Sequence, residues 1–577
     1  MKMKKMLCLL LAAVMTASVA TGCGDSKKDA SADANTSTDA QSTEGGRAAS
    51  DNGEIREYTA FFAVPGAEIN DDNEIQQQIA ELTGAKVKET WLTGQSAEEA
   101  VGTLIAGGEY PDFIDGGSQS VQLYQAGALV ALDDYIDKYP NIKEFFTEQE
   151  WDQLRQDDGK IYWLPQFSNI YGDEKMCTHN DEAFWIQTRV LEWAGYPDIS
   201  QGMTMDEYFK LIEDYNAANP TMEDGTPNIP YTILCDDWRY FCLENAPEFL
   251  DGYPNDGSVI VDPDTQTVID YNTTDTAVAY FKKLNEEYKK GIVDPESFTM
   301  TYDEYIAKIS SGRVLGMIDQ WWDFAYTGYD AIKSAGLDKQ GCSYVPLPVT
   351  IRKGIKNQWH NSGGVLNVSG GLAVTTSCED VEGALQFVND LLGQEVHDLR
   401  FWGEKDVDYK VDGEGMYYKT PEMRTNAADS AYKASHLCTY SYFPQWIGTS
   451  RDGKNAMKPE GQAQEFFEGL TDDVKACFNA YGVKTYVDML GTSPAPGPWY
   501  PMYTYSQTMT TDTEGGTAWL KMGEVKHEYL PKVVMADDFD AGWAEYMEAY
   551  NACNPQAFID EMQVELERRI AEAAKYE

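Results

Sequence analysis

Histidine is scarce in this chain. There are five in 577 residues, at positions 179, 360, 397, 436 and 527, and no two sit at metal-ligand spacing. The G-x-S-x-G, H-E-x-x-H and Walker A signatures are missing too, which excludes the enzyme classes those motifs carry. Positive charge is also short, with 45 Lys and Arg against 95 Asp and Glu and a formal net charge of −50. Such a surface repels nucleic acid and anionic headgroups, so neither is an expected partner of the folded body. The ten cysteines contain no C-x-x-C pair, and the chain is far too long for a small disulfide scaffold. Most of them read as reduced, buried, small hydrophobes, with Cys235 and Cys242 near enough in sequence to bridge locally. The pairs Asp262/Asp264 and Asp406/Asp408 look like fragments of calcium loops but lack the full ligand spacing. No metal and no cofactor is expected.

The first residues carry an export signal. Lys2, Lys4 and Lys5 precede an apolar run over residues 6–19, and small residues follow up to Cys23. The run is too short for a membrane span and has the layout of a secretory signal. Small residues directly before a cysteine resemble a lipobox, so residues 1–22 are expected to leave and Cys23 to carry lipid. Residues 24–53 contain no aromatic and no aliphatic larger than Ala, too little apolar surface to offset the entropy of ordering. As a flexible leash they reach roughly 30 Å root-mean-square.

The remainder, residues 54–577, has the composition of a globular body and the length of two lobes. Strands are expected over residues 58–64, 85–92 and 111–114. Helices fall between them, with Ile75, Ile79 and Leu82 on one face and Val101, Leu104 and Ile105 on the next. The alternation resumes with helices over 276–290 and 302–311, a buried strand over 313–319 running into Gln320-Trp321-Trp322, and a strand over 371–375. A helix follows over 378–392, with Ser377 as its expected cap. An amphipathic helix closes the chain over 558–574. This is an α/β pattern of parallel β-α-β units, whose ligands sit at the carboxyl ends of the strands.

Six segments in order carry a family likeness: GEYPDFI at 108–114, GALVALDD at 127–134, DGKIYWLP at 158–165, GRVLGMIDQWW at 312–322, GLAVTTSCEDVEGA at 371–384 and RFWGEKDVDY at 400–409. Together they resemble the maltose-binding-like extracellular solute-binding proteins of carbohydrate ABC importers, in their large lipoprotein subgroup. The resemblance implies a two-lobe, type II periplasmic-binding-protein-like fold, each lobe a sheet flanked by helices. Lobe 1 takes residues 54–165 and about 361–400, and lobe 2 takes about 166–360 and 401–577, with a hinge crossed near Pro165 and again near Asn361. It also implies a monomer that closes on a solute and is met by permease subunits.

Sugars offer flat C–H faces and a rim of hydroxyls, which suits stacked aromatic rings with a few carboxylates, amides and guanidiniums aimed between them. Fourteen Trp and thirty-six Tyr supply platforms in plenty. Trp321 and Trp322, as adjacent strand residues, point to opposite faces, one toward the cleft. Asp115 follows the third strand where the family places a hydroxyl-binding group, and otherwise serves the turn before Gly116. Gln166 lies at the first crossover, and Trp359 and Asn361 flank the second. Trp238 and Arg239 belong to a polar-aromatic cluster, Asp236 to Tyr240, that suits a cleft or a salt-bridged turn. Trp163, Trp402 and Trp499 read as packing residues. Two other classes stay open on these residues, a secreted glycoside hydrolase and a surface glycan adhesin. Carboxylate pairs among 95 acids say nothing for the first.

Overall fold

A computed structural model describes residues 55–576 except 65, 67, 68, 168, 179–181, 356–365 and 492–496, and except the side chains at 237 and 238. Cys23, Trp359 and Asn361 therefore lie outside the described residues. Among the described residues no helix is long and apolar enough to cross a membrane.

The first sheet forms as the alternation dictates. Strand β1 (Arg56–Phe62) turns Tyr58, Ala60 and Phe62 inward. Helix α1 (Glu74–Thr83) starts where the Asn73 side chain accepts from the Gln76 N–H, and stops at Gly84, whose φ of 75° a Cβ would strain. Strand β2 (Ala85–Trp91), helix α2 (Ala97–Gly107) and strand β3 (Phe113–Asp115) follow. Strand β1 runs parallel to both β2 and β3, and the short strand Ala373–Val374 closes the far edge antiparallel to β3. Ile75 and Ile79 are fully buried, each contributing about 1.5–3 kcal/mol of transfer free energy. Leu82, expected on the same face, is 44% exposed. It lines the groove that Gln78 and Glu81 share with Leu399. The cap before the helix Val381–Leu391 also differs from expectation. Asp380, not Ser377, accepts from the Gly383 N–H, while Ser377 is taken by the Tyr110 N–H.

The second sheet is mixed. Strands β4 (Glu182–Gln187), β5 (Ile229–Ile233), β6 (Val314–Gln320) and β7 (Tyr344–Leu347) lie in the order β7-β4-β6-β5. Only β5 and β6 are parallel, and β4 runs against both of its neighbours. Near-continuous burial along β4 and β6 reflects cover on both faces. The three C-terminal helices, Glu514–Met535, Phe539–Asn551 and Pro555–Ala573, pack on this body. Met522, Leu530, Val534, Tyr546, Met562 and Leu566 are buried among its core residues.

Two hydrophobic cores result. The second draws on residues 183–349 and 474–566. The first draws on residues 58–164, 372–396 and also 438–457. Residues 438–457, grouped with the second lobe at the sequence level, thus bury Tyr440, Phe443, Trp446 and Met457 against the first sheet. Their strand Trp446–Gly448 pairs in parallel with Asn169–Tyr171. All eight cysteines of the described body are free and buried, Cys235 and Cys242 included.

Candidate functional site

The carboxyl edge of the first sheet gathers one row of side chains by register alone. Phe62, Trp91 and Asp115 end their strands, and Phe62 stands opposite both of the others. Asp115 is buried and does two things. One carboxylate oxygen accepts from the Gly117 N–H at 2.8 Å, the turn role, and the other accepts from the Gln166 amide at 2.6 Å. The Gln166 carbonyl in turn accepts from the Gln445 N–H at 3.2 Å. Two of the expected residues are therefore one hydrogen-bonded unit.

Around that unit stands a set of rings that sequence reasoning missed. Tyr442 packs 5.3 Å from Phe62, 5.2 Å from Trp91 and 5.4 Å from Phe167, centroid to centroid. Phe167 is 45% exposed, an apolar ring left open to water beside two polar side chains. The Trp91 indole N–H is buried and has no hydrogen-bond partner among the described residues. Gly66 makes room for that indole, because a Cβ there would stand 2.0 Å from its ring. The Tyr442 hydroxyl is pushed up by burial and by the nearby Asp115 charge. Phe62 and Trp91 fell inside strands expected to run on to residues 64 and 92, so they were not marked as strand ends. Nothing local marks Tyr442.

The second group lies at the carboxyl ends of β5 and β6. The strand β6 stops at Gln320, and Trp321–Phe324 is a helical turn. The expectation that Trp321 and Trp322 point to opposite faces of a strand is therefore corrected, since successive helical residues diverge by about 100°. Both are partly buried. The Trp322 N–H donates to the Gln320 side chain at 2.6 Å, and Trp321 meets Tyr326 edge-on at 5.1 Å. Tyr326, also missed, is 68% exposed.

Arg239 sits in the turn Asp237–Tyr240, which also holds the Trp238 backbone. Its Nε donates to Asp323 at 2.9 Å, and its guanidinium lies 4.0 Å over the Tyr302 ring. The ion pair of this turn is made with a buried carboxylate outside it, not within a surface turn.

Beneath it, Asp319 accepts from the Tyr305 hydroxyl at 2.6 Å, from the Gln320 N–H at 2.7 Å and from the Cys242 thiol at 3.4 Å. Burial, with the neighbouring Asp323 charge, pushes Asp319 up to about 8. Atoms of Cys242, Asp319 and Asp323 come within 4.8 Å of one another, a spacing a metal ion would accept. Arg239 and Tyr305 already occupy those carboxylates, and burial holds the thiol protonated, so the three suit a shared proton better than a cation. Trp163, Trp402 and Trp499 are buried, as expected of packing residues.

Two surface cavities, of about 480 and 590 Å³, are lined by none of these residues.

Comparison with known proteins places this arrangement. The family model described as bacterial extracellular solute-binding protein matches residues 74–398. The fructooligosaccharide ABC transporter substrate-binding protein FusA of Streptococcus pneumoniae is 28% identical over 258 residues, 41% of this chain and 45% of that protein. The aligned region thus spans less than half of this curated relative. Among solved structures, an HMO-binding solute-binding protein from Bifidobacterium longum infantis superposes with a TM-score of 0.59 at 16% identity, covering 89% of this chain and 99% of that one. An S. pneumoniae FusA variant in complex with fructo-nystose gives 0.58 at 16%, covering 89% and 100%. At such identities the likeness is one of fold, an α/β architecture with two helix-flanked sheets.

Proposed function

This chain belongs to the bacterial extracellular solute-binding protein family, and on that premise we propose that it captures a sugar or oligosaccharide and delivers it unchanged to an ABC permease. The observation that carries the reading is the pair of half-sites at the carboxyl ends of the two sheets. Each sets aromatic rings beside a few fixed polar groups. Rings at Phe167, Tyr442, Tyr326 and Trp322 stack on C–H faces, while Asp115, Gln166 and Arg239 meet hydroxyls. The free Trp91 N–H adds a donor whose desolvation is already spent, so a hydroxyl meeting it gains at little cost. Trp238, Trp359 and Asn361 complete the proposed lining, and the two cores correspond to two lobes that close on the solute.

Residues 1–22 serve as the export signal and Cys23 as the lipid anchor in this reading, which leaves the body a monomer on the outer face of the membrane. Replacing Cys23 by Ser releases the protein into the medium if the anchor is correct. Relatives named for fructooligosaccharides make kestose and fructo-nystose the first probes, followed by other neutral glycans and then peptides. Binding to the folded state alone raises the melting temperature, by about 2.7 kcal/mol of added stability at a hundredfold excess over Kd. A shift with one oligosaccharide and no product on chromatography supports capture without turnover. A shift with peptides alone overturns the sugar assignment, and release of product overturns the transport assignment.

A further inference from the structure

Helix α3 (Gln394–Phe401) carries a buried cation with an unusual set of partners. Arg400 is 2% exposed, and its Nε donates to the Thr439 carbonyl at 2.9 Å. One terminal nitrogen donates to Leu391 at 3.0 Å and Pro444 at 2.9 Å, the other to Tyr440 at 3.0 Å and Phe443 at 3.3 Å. A guanidinium has five N–H donors, and here all five meet uncharged backbone carbonyls. Burying a cation without a carboxylate in contact is costly, and burial pulls this one down to about 9. Four of the five carbonyls belong to one six-residue loop, residues 439–444.

That loop is strained and aimed. Tyr440 holds a φ of +43°, in the left-handed region that a bulky residue avoids. The side chains of Tyr440 and Phe443 are buried in the first core. Tyr442, between them in sequence, is only part-buried against the same core and packs on Phe62, Trp91 and Phe167 at the carboxyl edge of the sheet. On the same face of α3 and one turn earlier, the buried His397 accepts from the Trp446 N–H at 3.1 Å, so the helix grips the loop and its exit together.

We propose that Arg400 is a positioning residue for solute capture: four of its five hydrogen bonds hold the 439–444 loop in the conformation that presents Tyr442 to the first half-site. This rests on the sugar-capture reading for its consequence, though not for its geometry. Arg400 touches no solute. It acts through Tyr442, and the polar work at the same edge is left to Asp115 and Gln166.

The test has two arms, on the full mature protein labelled with 3-fluorotyrosine. In the first, without solute, Tyr442→Phe assigns the Tyr442 fluorine resonance, and Arg400→Lys keeps the cation but loses the fork. The Tyr442 resonance is expected to move or broaden while those of second-core tyrosines such as Tyr208 stay in place. An unchanged Tyr442 resonance overturns the proposal. In the second arm, kestose is titrated into the wild type, Tyr442→Ala, Arg400→Lys and the double variant. Tyr442→Ala and Arg400→Lys are each expected to weaken binding about tenfold, and the double variant no further than Tyr442→Ala alone. Multiplicative losses overturn the proposal, because they mean that Arg400 acts elsewhere. Where Arg400→Lys fails to fold, Pro444→Gly loosens the same loop with Arg400 in place. It is expected to shift the same resonance, and an unmoved resonance again counts against the idea. If no glycan binds the wild type, the capture reading falls, while the fluorine arm still decides what Arg400 does.

Discussion

Two arginines, the buried Arg400 in the first core and the part-buried Arg239 at the edge of the second, bring a cation out of water in opposite ways. Arg400 has five carbonyls and no carboxylate in contact, whereas Arg239 has the buried Asp323 at 2.9 Å and the face of Tyr302. The first arrangement shapes a loop, because five acceptors spread over residues 391–444 are satisfied only in one backbone path. The second fixes one side chain, because a single carboxylate constrains only the guanidinium it meets. A half-site built on the first kind of contact is decided by backbone, and one built on the second by side-chain charge.

The comparison breaks most sharply on the first arginine. Arg400→Met leaves the carbonyls of Leu391, Thr439, Phe443 and Pro444 without their donor, while that of Tyr440 keeps the Phe443 N–H, and a loss of at least about 4 kcal/mol is expected at 1–3 kcal/mol per unsatisfied group. Denaturant unfolding reads it directly, and a loss under about 2 kcal/mol would mean that water replaces the guanidinium.

Arg239→Ala comes next, with an expected cost of about 3–5 kcal/mol for leaving the buried Asp323 unpaired. Combining it with Asp323→Asn is expected to recover much of that cost. Failure to recover would show that Arg239 stabilises through its stacking on Tyr302 instead.

A smaller effect, shared by both regions, is the response to pH. Burial pushes Glu89, on β2 of the first core, up to about 8, and Asp319 of the second likewise to about 8. Each folded carboxyl keeps a proton that the unfolded chain has released, so stability falls as pH rises from about 5 to 8, by at most one proton per group in slope. His436 acts with the same sign. Burial opposes its charge, but hydrogen bonds to Asp408 at 2.8 Å and Glu74 at 2.6 Å prevail and hold its pKa raised. Its stabilisation is complete below the ordinary imidazole range and is lost as pH passes the raised value. Melting temperature is therefore expected to fall between pH 5.5 and 8.5. Glu89→Gln flattens the part that belongs to the first core, and Asp319→Asn the part that belongs to the second. The buried His397, whose pKa burial holds well below the ordinary value, acts with the opposite sign, so the assignments are read as differences from the wild type, and a variant with an unchanged pH profile contradicts the assignment of its carboxyl. The smallest change expected is Leu82→Ala, under about 0.5 kcal/mol, since this residue of α1 faces a groove rather than the core.

Only part of the first half-site was legible, although parallel pairing puts strand ends side by side. Asp115 and Gln166 were reached through the family resemblance, one just after the third strand and the other at the implied crossover, and they turn out to be bonded to each other. Trp321 and Trp322 were found as residues but misread in conformation. The strand pattern ran straight into them, and no glycine or proline marks the change to a helical turn at Gln320. Asp323 was passed over because a carboxylate in a chain with 95 acids carries no signal until it is buried against an arginine.

By itself the sequence determined the local elements, since capping residues, glycine stops and apolar periodicity act within a few positions and set the helices and strands it named to within about three residues. It determined the α/β class, because alternating elements of these lengths leave few ways to bury their apolar faces. Tertiary structure alone decided which core owns residues 438–457, and so it decided that Tyr442 stands against Phe62 and Trp91, some 350 positions earlier in the chain. That contact depends on where a strained loop is pulled by four hydrogen bonds from another helix. Those bonds exist only once both pieces are packed, and no local pattern encodes them.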